Sequence, residues 1–366
     1  MKKLYILIAI ILSTSVYFLF FYKTESIIKI GFVGALTAKY SDLGNPMMNG
    51  IILAFEEEKY EINGNKIELI FKDDKKDEEV NKQIVNDFIS QGIKIVIGNV
   101  TSSMSKVSMS IINKHKDMFM ISAASASNEF SGIDDQFFRV HVANNEQRFH
   151  SFTKYIKDNG FKRIYGMYDP GNITYTKDYL ENFEKSFVLN GGDKFIKYAK
   201  TDENLDDLVA DINSLNPDLI LICANSVDAP RVIQYLKMKN IKTQIASSEW
   251  AMTPAFLENT GKSSEGIIFN IDYDENSKSK DFINFTNNYK QKYQIEASLF
   301  ASKGYELAKV IIELLKMGGE TELKKNLLIK KEFKGLQDTI IFDKYGDVIR
   351  EFNTFKVING KFEKVE

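Results

Sequence analysis

The stretch Ile95-Val96-Ile97-Gly98-Asn99-Val100-Thr101-Ser102-Ser103-Met104-Ser105, "IVIGNVTSSMS", opens as an unbroken apolar run and ends in a cluster of hydroxyls. The first three residues have the pattern of a strand buried on both faces. Met104, Val107, Ile111 and Ile112 then recur at helical spacing. The chain therefore passes from a buried strand, through Gly98-Asn99, into a helix whose first turn holds Thr101, Ser102 and Ser103. Free amide N–H groups beside hydroxyls at such a junction suit an anion, and junctions of this kind lie where open parallel sheets bind their ligands.

The same alternation extends in both directions. Strands are expected at 28–33, 66–71, 94–97 and 118–121, with helices between them marked by Met47, Met48, Ile51, Ile52 and Phe55 and by Val80, Ile84, Val85, Phe88 and Ile89. The periodicity lapses at "VHVANNEQ" (140–147) and then restarts. Strands at 163–168, 194–199, 218–224 and 242–246 alternate with helices over 174–189, 204–214 and 227–239. Two α/β lobes, each a doubly wound parallel sheet, linked near 140–147 and facing one another across a cleft, account for this order. The first lobe is expected to take 27–145 plus about 274–336, and the second 146–273 plus about 337–366. The tail after 274 adds helices over 278–293 and 300–317.

Composition narrows the function. Net charge is -2, so no basic excess exists to neutralise nucleic-acid phosphates. The one cysteine, Cys223, lies in the apolar run "LILICA" and can make no intramolecular disulfide. His115, His141 and His150 have no metal-ligand spacing. "GKSS" (261–264) resembles half of a phosphate loop, but Phe256 stands where that loop needs glycine. No nucleophile–base motif is present, and no enzyme activity, metal or cofactor is expected.

The N-terminus is distinct. Lys2 and Lys3 precede Leu4–Tyr22, an uncharged apolar run that as a helix spans ~28 Å, close to the hydrocarbon thickness of a bilayer. An uncleaved anchor and a cleaved signal peptide both fit, and either exports the rest of the chain. The soluble body is expected at the outer face of the cytoplasmic membrane, or in the periplasm after cleavage.

Four strand-end loops are rich in small polar residues: "GNVTSS" (98–103), "SAASAS" (122–127), "ANSVDA" (224–229) and "SSEWAM" (247–252). Facing lobes would line one cleft with all four. Thr101 and Ser102 suit a carboxylate, although Ser and Thr also serve as plain helix caps. Glu249 in the other lobe suits an ammonium group, although a strand-end carboxylate is often only a surface residue. Together they match a zwitterion.

At this point the chain resembles the type I periplasmic substrate-binding proteins of ABC transporters, in the branch that includes the leucine/isoleucine/valine-binding proteins. The resemblance covers about residues 27–360. It is carried by "IKIGFVGALT" with "NG" at 49–50, "GIKIVIGNVTSS", "MFMISAASASNEFSG", "FFRVHVANNEQ", "DPGNITYTKDYL", "DLILICANSVDAPRVIQYLK" and "SSEWAMTPAFL", in the family's order. It implies a non-catalytic, cofactor-free clamp that closes like a hinge on a small ligand in the interlobe cleft, delivers it to a membrane permease and works as a monomer. It implies that Ser102 takes the ligand carboxylate with Val100 and Thr101 beside it, that Glu249 takes the ammonium, and that Tyr175 flanks the ligand. The family's usual Thr or Ser after the fourth strand is matched by Ala126, with Ser125 or Ser127 adjacent. Leu43 and Asn225 fall where leucine-binding members carry aromatics. Tyr175 and Trp250 favour an apolar or aromatic ligand side chain. Two alternatives stay open: a membrane-tethered ligand sensor for a signalling partner, and a binder of an amide, urea or simple carboxylate.

Overall fold

The computed structural model describes residues 26–365, and the apolar run Leu4–Tyr22 lies outside them. No helix among the described residues is long and apolar enough to cross a membrane.

The first lobe is built on strands β1 (Ile27–Gly34), β2 (Glu61–Ile62), β3 (Asn65–Asp73), β4 (Ile95–Gly98), β5 (Phe119–Ser122) and β6 (Phe137–Arg139). Their order is β2-β3-β1-β4-β5-β6, parallel throughout except for the antiparallel β2–β3 pair. Between the strands run helices α1 (Ser41–Glu57), α2 (Glu78–Ser90) and α3 (Ser102–Ile112). Ile95, Val96, Ile97 and Gly98 are all buried, as expected of a strand covered on both faces.

In the second lobe, α4 (Glu146–Asp158) leads into β7 (Ile164–Tyr168), α5 (Ile173–Leu189), β8 (Lys197–Lys200), α6 (Leu205–Leu215), β9 (Leu219–Cys223), α7 (Asp228–Met238), β10 (Gln244–Ser248), α8 (Pro254–Thr260) and β11 (Ile268–Ile271). The chain then adds α9 (Lys280–Tyr293), α10 (Leu299–Gly318) and α11 (Leu323–Lys330), followed by β12 (Glu332–Lys334), β13 (Thr339–Phe342) and β14 (Val348–Ile349). It ends in β15 (Asn353–Ile358) and β16 (Lys361–Lys364), which complete a second sheet of order β16-β15-β11-β10-β9-β7-β8. β6 and β11 were not among the expected strands.

Helix α10 returns to the first lobe and packs on α1 through two glycines. A Cβ on Gly50 would lie 2.1 Å from the Ala301 carbonyl oxygen, and one on Gly304 would lie 2.3 Å from that of Met47. The "NG" at 49–50 is thus a backbone-contact position.

Strands β12–β14 form their own antiparallel sheet. Arg139, at the end of β6, holds this sheet to the first lobe by donating from Nε to Asp347 at 3.1 Å, and Gly132 N–H donates to the same carboxylate at 2.8 Å. The chain therefore rejoins the second sheet at Asn353 of β15, later than residue 337. It crosses between the two large sheets after β6, after β11 and before β15.

Candidate functional site

The turn after β4 is fixed by buried polar groups. Asn99 N–H donates to Ser105 Oγ (3.0 Å), and its side-chain amide donates to Asp74 (2.8 Å) and Asn81 (2.7 Å) while accepting from Ser108 (2.7 Å). Thr101 then sits in extended conformation at the N-cap of α3 without making a side-chain cap bond. Its Oγ1 and the Oγ of Ser103 are buried and have no hydrogen-bond partner. Ser102 Oγ accepts from the N–H groups of Ala126 (3.2 Å) and Ser127 (3.3 Å), which joins this loop to the one after β5. Its own hydrogen stays free to donate. Ser125 is engaged within the lobe, through Ser105 Oγ and, from its N–H, Ser122 Oγ. Ala126 contributes its backbone alone.

In the second lobe Glu249 opens a single 3-10 turn directly after β10 and is 2 % exposed. Its Oε1 accepts from the Tyr175 hydroxyl at 3.0 Å, pairs with Arg148 Nη2 and lies 3.5 Å from His141 Nε2. Its Oε2 is buried and has no partner. Burial alone would raise the Glu249 pKa, but the Arg148 guanidinium and His141 bring it down to about 2. Burial pushes His141 down, toward the neutral ring. Arg148, on α4, also donates to Asn144 Oδ1, and its guanidinium lies over the rings of Phe352 (4.6 Å), Phe149 (5.0 Å) and Tyr179 (5.4 Å). The carboxylate expected to await a ligand cation thus has a resident one. Sequence reading did not single out Arg148 or His141.

Asn225 is committed to its own loop and to the one after β7. Its amide donates to Asp169 (2.9 Å) and Asp228 (2.7 Å), and its Oδ1 accepts from the N–H groups of Val227 and Asp228. Trp250 stacks on Tyr40 of the first lobe, with centroids 5.8 Å apart and planes 2° apart, and meets Tyr175 edge-on at 5.6 Å. Val100, Ala124, Asn172, Tyr175, Trp250 and Phe300 line a cavity of about 20 Å³ between the lobes, room for about one water. Val100, Tyr175 and Trp250 were expected there; Ala124, Asn172, Phe300 and the flanking Tyr40 were not.

The lobes are closed on this cavity. Ser103 N–H donates to Asn172 Oδ1 (3.1 Å), Asn128 N–H to Asp178 (2.9 Å) and Lys76 Nζ to the Gly171 carbonyl (2.7 Å). The Ser226 hydroxyl donates to Asp42, and Lys39 pairs with Asp228 and, at 3.9 Å, with Asp169. Among the described residues no cluster of His, Cys, Asp and Glu could hold a metal ion.

Comparison with known proteins agrees with this architecture. The chain is 21 % identical over 351 residues to Leu/Ile/Val-binding protein homolog 3 of Brucella melitensis, covering 93 % of this chain and 94 % of that protein. A leucine binding protein from Thermotoga maritima superposes with a TM-score of 0.84 at 21 % identity, over 93 % of this chain and 98 % of that one. A solute binding protein from R. palustris, solved with benzoate, does so with a TM-score of 0.83 at 18 % identity, over 93 % and 96 %. The profile of the family described as Periplasmic binding protein matches residues 27–357, nearly the whole described chain, and the protein belongs to that family.

Proposed function

We propose that the protein is the extracytoplasmic solute-binding component of an ABC importer, and that it clamps a small amino-acid-like ligand by hinge closure. One observation carries this reading: each lobe holds buried, partnerless polar atoms on the loop that also supplies a wall of the interlobe cavity, next to Val100 in one and Trp250 in the other. On the first-lobe side are the Thr101 and Ser103 hydroxyls at the start of α3, with the free Ser102 hydrogen; on the second-lobe side is Glu249 Oε2. Hydroxyl donors at a helix N-terminus suit a carboxylate, and a bare carboxylate oxygen suits an ammonium. Val100, Tyr175, Trp250 and Phe300 supply an apolar surround for the ligand side chain. Ser125, Ala126 and Asn225 support the loops that carry these groups.

Membership of a solute-binding family, and relatives named for leucine, isoleucine and valine, support transport rather than catalysis. Delivery is to a membrane permease, by a monomer placed outside the cytoplasm through residues 1–26. The lobes open to admit ligand, and contacts from both lobes then stabilise the closed form. The benzoate-bound neighbour favours a second reading, a carboxylate solute without an ammonium.

The chain's single tryptophan, Trp250, lies on the cavity wall, so its emission reports occupancy directly. Titration with L-leucine, L-isoleucine and L-phenylalanine is expected to change emission saturably, while 4-methylpentanoate, leucine without its amine, leaves it unchanged. Equal responses to the amino acid and its deaminated analogue would establish the second reading instead.

A further inference from the structure

The partners of Glu249 crowd one oxygen. Oε1 accepts the hydrogen bond of the Tyr175 hydroxyl and lies against the Arg148 guanidinium and His141 Nε2 as ion-pair neighbours, whereas Oε2 has no hydrogen-bond partner. Arg148 has no freedom to move aside. It is buried, bonded to Asn144, and covered by Phe149, Tyr179 and Phe352. We propose that Arg148 is a positioning residue of the ligand site: it keeps Glu249 ionised in a cleft that excludes water and pins Oε1, so that Oε2 alone meets the ligand's ammonium. This rests on the zwitterion reading above.

Charge balance supports the assignment. A lone carboxylate removed from water takes up a proton rather than stay charged. With Arg148 beside it, the pair sums to zero, and an added zwitterion leaves that sum at zero. A ligand lacking the ammonium leaves the filled cleft one charge negative and Oε2 unpartnered. The other ionisable groups around the pair do not upset this count. Tyr175 and Tyr179 on α5 and Cys223 on β9 are held neutral by burial, and burial pushes His141, between β6 and α4, toward the neutral ring. Beyond His141, Asp272 and Lys303 neutralise each other at 2.6 Å, and Arg350 pairs with Glu306 at 2.7 Å.

The test compares wild type with Arg148→Gln, which keeps an amide donor without charge, and Arg148→Lys, which keeps the charge. The Glu249 carboxyl carbon is followed by NMR without ligand from pH 8 to 5, which separates its proton from one on His141. L-leucine affinity is followed by Trp250 emission over the same range. In wild type the carboxyl is expected to stay ionised and the affinity to stay flat. In Arg148→Gln the carboxyl titrates within the window and affinity falls at least tenfold between pH 8 and 5; Arg148→Lys restores the flat profile. A purely structural arginine would lower stability and affinity equally at every pH, so an ionised carboxyl and flat profile in Arg148→Gln overturn the proposal. Should Arg148→Gln not fold, Arg148→Lys decides: affinity within tenfold of wild type and flat is expected, and a loss beyond 100-fold at every pH overturns it. If wild type binds no amino acid, the zwitterion reading fails, while the carboxyl titration still decides the part played by Arg148.

Discussion

Glu249→Ala removes more than the proposed ligand contact, because it strands Arg148 as a buried cation. Leaving one member of a buried pair typically costs about 3–5 kcal/mol, so the variant is expected to melt well below wild type even without ligand. Glu249→Leu combined with Arg148→Met should recover most of that loss in a denaturant titration; no recovery would show that the pair is not the source. Burial holds His141 below its ordinary pKa in the folded chain. As pH falls below about 6.5 the unfolded chain takes up this proton first, so stability drops by at most about 1.4 kcal/mol per pH unit. Asp178, raised to about 6 by burial, acts oppositely, gaining its proton first in the folded chain. The difference between wild type and His141→Gln therefore carries the prediction: wild type should lose melting temperature from pH 7 to 5 relative to the variant. Val100 and Trp250, which line the cavity, lie in strand-end loops of small polar residues that the sequence marks, as does Glu249, whereas Tyr175 was pointed to by the family resemblance. Arg148 was marked by neither. In "NNEQRFH" it has the look of a solvated helix start, and its burial depends on Phe352, far along the chain.

At the scale of elements, the strand–helix alternation was legible because each unit repeats an apolar period. The α1–α10 contact was not, since it depends on missing side chains at Gly50 and Gly304. Gly→Ala inside a helix ordinarily stabilises by roughly 0.5–1 kcal/mol. Here the new methyl would meet backbone carbonyl oxygens, and such overpacking typically costs about 1–3 kcal/mol. Gly304→Ala is therefore expected to destabilise, read by urea denaturation, and a stabilised variant would contradict the close packing of α10 on α1. The late return to the second sheet was also hidden. Phe333, Ile340, Phe342 and Val348 read as ordinary strand residues, and it takes long-range contacts, among them the bonds of Arg139 and Gly132 to Asp347 and the packing of Gly346 on Phe138, to place their sheet beside the first lobe.

For the whole molecule, closure rests on polar contacts at the cleft mouth as well as on ligand. Lys39 joins Asp228 across the lobes, but its side chain is 38 % exposed, and exposed pairs contribute about 0–1 kcal/mol. Asp228→Asn should therefore shift the ligand-free protein toward the open form, with a larger radius of gyration in X-ray scattering. Affinity should weaken by no more than about fivefold, because ligand selects the closed form. A much larger loss would mean that Asp228 touches the ligand itself. The two-lobed plan was readable from the order of elements, whereas the degree of closure was not, since it depends on pairs such as Ser226–Asp42 that join residues from different lobes.

The most direct test is calorimetric titration of wild type and Glu249→Gln with the twenty L-amino acids and their deaminated counterparts. At least one amino acid is expected to bind wild type at a single site, its deaminated analogue not measurably, and Glu249→Gln at least about 100-fold more weakly. A deaminated acid that binds as tightly as its amino acid, or a Glu249→Gln affinity equal to wild type, would contradict the zwitterion clamp.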